Sequence, residues 1–121
     1  MAGYRDIGIY QRAYKAAISC YRMSESFPNY ERYSLTDQIR RASISIALNI
    51  AEGYARRRSQ SEYKRFLEMA IGSSNEVMVL IDFVKDLGYI DEEMHKRAYM
   101  EYEEISKMLN KYISRVVEGM K

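Results

Sequence analysis

One proline, one histidine, one cysteine and no tryptophan in 121 residues exclude more than they suggest. With a single proline and six glycines, the chain has little punctuation and resolves into a few long elements with short joints. Cys20 has no second cysteine to pair with, so an internal disulfide is ruled out and nothing points to an oxidising compartment. No apolar run approaches the roughly 20 residues of a membrane span. The opening MAGYRDIGIYQR has no apolar stretch after its charges, unlike a secretory signal. A cytoplasmic protein without a membrane partner, folded as one domain over 1–121, is the simplest expectation.

Catalytic equipment is equally thin. Transfer or hydrolytic chemistry needs a nucleophile, a base and a group that holds charge. His95, the lone histidine, falls in the acidic and exposed start of the last helical segment. Cys20 reads as a small buried hydrophobe on a tyrosine-rich helix. Glu92, Glu93, Glu101, Glu103 and Glu104 are numerous enough for a metal-binding bundle, but one histidine cannot supply two Glu-x-x-His motifs. Gly72-Ser73-Ser74 lies mid-helix and reads as close packing, not as a phosphate loop. The expectation is a protein with no enzymatic activity, no cofactor and no metal.

What the chain has is apolar periodicity. Apolar residues make up 47% and charged residues 30%. A first segment, about Ile7 to Ser26, sets Ile7, Tyr10, Tyr14, Ala17, Ile18 and Tyr21 at helical spacing. It ends before Phe27-Pro28, because the residue preceding proline is pushed out of α geometry. The second begins near Ser34, a potential N-cap, with Asp37 in the first turn, and runs to about Arg57. The third opens at Ser59 and Glu62, which fit a capping box. Its Tyr63, Leu67, Ala70, Ser74, Val77, Ile81 and Val84 repeat in a 4-3-4-3 pattern that suits antiparallel packing. Gly88 is placed to end it. Asp91 opens the fourth, with Met94, Ala98, Tyr102, Ile105, Leu109, Tyr112 and Val116 along one side. The fold expected is all-α, an antiparallel up-down-up-down four-helix bundle.

Helix two departs from the usual single apolar stripe. Leu35, Ile39, Ala42, Ile46, Ile50 and Gly53 share one face at 100° per residue. Ile44, Leu48, Ala51 and Ala55 share nearly the opposite one. Two opposed apolar faces leave one in water unless a neighbour covers it, so self-association is expected. Small residues, Ser43, Ser45, Ala47, Ala51, Gly53 and Ala55, would let another backbone come close. Between the faces runs a polar stripe of Gln38, Arg41, Ser45, Asn49, Glu52 and Arg56. Local pairs such as Glu52 with Arg56 would explain it as a solvated edge. Asn49 and Glu52 beside apolar positions would equally serve to fix the register of a subunit contact.

Charge is unevenly spread. From Arg32 to Arg65 there are eight basic and three acidic residues, against seven basic and eleven acidic from Phe66 onward. Candidate phosphate ligands are Arg40, Arg41, Arg56, Arg57, Arg58, Lys64 and Arg65. Cations at a helix C-terminus are favoured by its dipole, which accounts for one or two of Arg56-Arg57-Arg58 but not for three. Binding built on them would rest on phosphate contacts and weaken with salt. Tyr63, beside Lys64, could stack on a base, although most of the twelve tyrosines should be core or boundary residues.

Phe27-Pro28 followed by LTDQIRRASISIALNIAEGYARRR over Leu35 to Arg58 resembles the four-helix-bundle proteins encoded in 23S rRNA intervening sequences, also labelled S23 ribosomal proteins. The similarity continues through RFLEMAIGSSNE to Gly88-Tyr89-Ile90 and spans about Tyr10 to Ile90; the fourth helix matches in character alone. Where that family often has proline, this chain has Ala47, which predicts a more continuous helix two. The resemblance implies a left-handed antiparallel bundle, a ring of five subunits and a role with nucleic acid, RNA before DNA. A more distant likeness by fold is to Avd, the accessory protein of diversity-generating retroelements, which pairs with a reverse transcriptase. That likeness implies an alternative, a protein-interaction scaffold for such a partner. The ribosomal label follows gene position and implies no ribosomal role.

Overall fold

The computed structural model describes residues 3–120, and four helices carry almost all of them. They are α1 (Gly8–Ser24), α2 (Leu35–Ala55), α3 (Gln60–Asp86) and α4 (Glu92–Gly119). Short 3-10 turns, Tyr4–Asp6 and Asn29–Glu31, precede α1 and α2. The helices pack as an antiparallel bundle in which α1 neighbours α2 and α4, and α3 neighbours the same two. Thus α1 faces α3 diagonally, and α2 faces α4.

Local chemistry sets most boundaries. Ser59 accepts from the Glu62 amide and Asp91 from the Met94 amide at 2.8 Å, capping α3 and α4. Gly88 has φ +82°, a conformation that costs glycine nothing. It closes α3 in a Schellman arrangement, with Tyr89 N–H donating to the Val84 carbonyl and Gly88 N–H to the Lys85 carbonyl. Two cap expectations fail. The Ser34 hydroxyl turns back to the Glu31 carboxylate instead of capping α2. Glu62 makes no reciprocal capping bond, because its carboxylate is held by Arg65. In both places a charged partner offers a stronger hydrogen bond than a backbone amide does.

Inward faces of α2, α3 and α4 follow their predicted stripes. Ile39, Ile46, Ile50, Leu67, Val77, Ile81, Val84, Ile105 and Leu109 are fully buried. Helix α1 is rotated from the face its tyrosines suggested. Ile9, Ala13, Ala16 and Cys20 point inward; of the expected face, Ala17 is buried and Ile7 and Tyr10 pack against the core, while Tyr14, Ile18 and Tyr21 are exposed. Small side chains let α1 approach α2, Tyr21 lies under Arg40 of α2, and the exposed tyrosines keep their hydroxyls in water. Ala47 is buried within an unbroken α2.

Several polar groups inside the bundle are paired across helices, while the buried Thr36 hydroxyl has no partner among the described residues. Ser74 donates to the Tyr102 carbonyl, and its oxygen lies 2.8 Å from the Ser106 hydroxyl. Gly72 is exposed, with nothing within 4 Å of where its Cβ would stand, so the serines beside it, not the glycine, make the close helix contact. Arg12 clamps Glu101 through two bonds of 2.8 and 3.0 Å, tying α1 to α4. Buried Tyr102 donates to the Ala16 carbonyl at 3.0 Å. Burial pushes its phenol far above the usual value. Tyr102→Phe removes that donor from a dry site and is expected to cost about 1 kcal/mol. The urea midpoint should fall with the slope unchanged; an unaltered midpoint would remove the bond from any account of stability.

At the far end, Tyr89 donates to Glu31 at 2.6 Å, joining the α3–α4 turn to the α1–α2 loop. The Ser34 and Tyr89 hydroxyls hold the Glu31 carboxyl below its usual range. Phe27 is buried in the same corner, its ring 5.8 Å from that of Tyr89.

Candidate nucleic-acid and self-association surfaces

The α2–α3 turn, residues 56–59, gathers five of the seven candidate cations. Arg56, Arg57 and Arg58 leave the end of α2, and Lys64 and Arg65 follow in the first turns of α3. Arg40 and Arg41 are elsewhere. Sixteen residues of α2 separate Arg40 from Arg56, about 24 Å at the helical rise. Arg40 stacks on Tyr21 and donates to the Ser24 hydroxyl at 2.7 Å, so it fastens α2 to α1. Arg41 pairs with Asp37 at 2.9 Å on the open surface.

Within the turn the positive charge is unequally free. Arg65 forms a two-bond pair with Glu62, at 2.9 and 3.2 Å, which lowers the glutamate's pKa. Arg56 sits between Glu52 at 3.6 Å and Glu62 at 3.9 Å, and Lys64 lies 3.9 Å from Glu68. Arg57 covers the Tyr54 ring and donates to the Tyr54 carbonyl, the C-terminal capping role that the dipole argument gives one arginine. Arg58 is exposed and makes no ion pair among the described residues. Tyr63 is half-buried against the core and against Gly53, which makes it a packing residue and not a stacking platform.

The second face of α2 is also where its periodicity put it. Leu48 is 64% exposed and Ile44 40%, with Ala55 open and Ala51 half-buried. On α1, Tyr14, Ile18 and Tyr21 are also exposed, and Tyr21 lies beneath Arg40 of α2. Asn49 belongs to the α2–α3 seam, and Glu52 lies exposed beside it. Asn49 donates to the Ser45 carbonyl and hydroxyl, Ser45 meets the Ser73 hydroxyl at 2.9 Å, and Glu52 faces Arg56. Arg41, Ser45, Asn49, Glu52 and Arg56 of the polar stripe thus each have an intrachain partner. A further ridge, Val79, Phe83 and Leu87, each more than half exposed, runs along α3. Its i, i+4, i+8 spacing was present in the sequence but hidden beside a stronger core pattern.

The model of the 23S rRNA-intervening sequence protein family matches residues 5–111. The chain belongs to that family. Among solved structures, this intervening-sequence protein is similar to a protein of unknown function from the S23 ribosomal protein family of Bacteroides thetaiotaomicron. The two share 22% identity and a TM-score of 0.79, over 87% of this chain and 97% of the other. The likeness fixes the bundle fold. No curated protein matches the intervening-sequence chain. Ala47 sits within a continuous α2, and in the NIAEG string Gly53 lets α3 come close.

His95 differs from its expected exposed setting. Its ring is partly buried, lies 2.8 Å from the Asp82 carboxylate and stacks on Tyr99. Cys20 is 4% exposed and burial raises its thiol pKa, the setting of a small core residue. No described helix is long and apolar enough to cross a membrane.

Proposed function

We propose that this protein is a non-catalytic, self-associating cytoplasmic bundle that binds the phosphate backbone of nucleic acid at the α2–α3 turn, RNA in preference to DNA. The observation that carries the reading is the state of that turn. Arg57 and Arg58 are exposed and free of carboxylates among the described residues, while Arg56 and Lys64 hold carboxylates only at 3.6–3.9 Å. Exposed pairs of that length are worth at most about 1 kcal/mol, so a phosphate can displace them. Arg65, in its two-bond pair with Glu62, contributes less.

One turn offers few contacts, so useful affinity requires repetition. Self-association through the outward face of α2 supplies it, and a ring of five, as the family resemblance implies, would present five equal turns to one polyanion. Such contacts read phosphate and not base sequence. The preference for RNA rests on the family relationship.

Fluorescence anisotropy with a structured RNA and a matched DNA duplex, at two salt concentrations, tests the proposal. Arg56→Gln, Arg57→Gln and Arg58→Gln combined should weaken binding at least tenfold. They should also flatten the salt dependence by roughly one unit of logarithmic slope per lost phosphate contact. Assembled, folded protein that binds neither ligand at low salt would sink the proposal. The exposed α3 ridge would then favour the scaffold reading, with a protein such as a reverse transcriptase docked on it.

A further inference from the structure

Helices α1 and α4 meet loosely. Beyond the Arg12–Glu101 clamp and the Tyr102–Ala16 bond they part around a cleft of about 630 Å³. That volume lies within the range of small-molecule sites. Its floor is apolar, formed by Ala16, Cys20, Met23, Met94, Ala98 and Tyr102. Methionines at two of these positions give a wall that adapts to the shape of a chain. The Tyr102 hydroxyl is already spent on a backbone carbonyl, so the floor offers a ligand little polar competition.

The rim has the opposite character. Lys15 and Arg22 from α1 and Arg97 from α4 border the cleft, with Glu101 the one carboxylate among its lining residues. Glu101 is held by Arg12 in two bonds, and Glu93 touches Arg97 only at 4.0 Å. Lys15 and Arg22 have no ion pair among the described residues. This positive rim stands out because the chain from Phe66 onward, which includes all of α4, is net acidic.

We infer that the α1–α4 cleft binds a small amphipathic anion, a carboxylate head on an apolar chain. The chain lies over the methionine floor, and the head meets Arg22 and Arg97 at the rim. The cleft is lined by α1 and α4 alone and shares no residue with the α2–α3 turn, so the site stands independently of nucleic-acid binding at the arginine turn.

Decanoate, below its micelle concentration, is the probe. The full chain labelled at its methionine methyls is titrated and followed by nuclear magnetic resonance. A saturable one-to-one response at Met23 and Met94, with exposed Met69, Met100 and Met120 unmoved, is the expected result. Neutral decanol should bind at least tenfold more weakly, as should decanoate to the Arg22→Glu, Arg97→Glu variant. Both substitutions lie at exposed positions, and a retained helical spectrum confirms the fold. A second variant, Ala98→Leu, fills the floor and should block decanoate while leaving the charges in place. Shifts spread over all methyls, equal binding of decanol, or binding indifferent to both variants would overturn the site.

Discussion

If the protein self-associates as proposed, Ile44→Glu with Leu48→Glu is expected to yield folded single chains of 14.3 kDa in place of an assembly. The two side chains stand one turn apart on α2, 40% and 64% exposed, and neither takes part in the core of its own bundle. Glutamate is a good helix former, so α2 loses nothing in propensity. An interface loses a great deal. Burying one leucine or isoleucine contributes about 1.5–3 kcal/mol, and an unpaired carboxylate in its place carries a further desolvation penalty. In a closed ring every subunit uses this face, so the loss recurs at every contact. Sedimentation velocity with circular dichroism separates assembly from fold. Natural protein that stays a monomer across a wide concentration range would show that the apolar face of α2 serves something other than a second copy. An assembled double variant would move the interface to another surface, the Val79–Phe83–Leu87 ridge first.

Helix two was legible because its two apolar faces are distinguishable by period alone. Ile39, Ile46 and Ile50 are buried and Leu48 is open, as 100° per residue requires. Helix α1 was less so. Its sequence offers two stripes, one of tyrosines and one of alanines with Cys20, and hydrophobicity favours the larger residues. Packing favours the smaller, because α1 must lie close against α2. The charge pattern misled in a related way. Seven cations within 26 residues look like one patch, but helix geometry places Arg40 about 24 Å from Arg56. Counting also hides who pairs with whom. Glu62, read as a capping residue, spends its carboxylate on Arg65 and so removes one of the cations it was counted beside. Side-chain competition of this kind is decided by geometry within a few ångströms, which spacing does not carry.

The largest stability effect is expected at Gly53. Its backbone is helical and needs no special conformation; what it needs is the missing Cβ. A Cβ built there would stand 2.9 Å from Phe66 Cβ and 3.2 Å from Tyr63 Cδ1. Phe66 Cβ is fixed to the α3 backbone and cannot swing aside, so relief requires moving the start of α3 away from α2. For Gly53→Ala two terms oppose. Helix propensity improves by about 1 kcal/mol, and overpacking costs about 1–3 kcal/mol. The net expectation is a modest loss. For Gly53→Leu propensity improves no further, while the added atoms drive into the Tyr63–Phe66 surface. The cost should reach about 3 kcal/mol, a large part of an ordinary domain's 5–15 kcal/mol. Melting should fall by roughly 10 °C. Because the arginine turn begins three residues later, polyanion binding should weaken in the same variant even where it remains folded. A rise in melting temperature for Gly53→Ala would mean that α3 yields freely and that propensity, not close approach, governs this position.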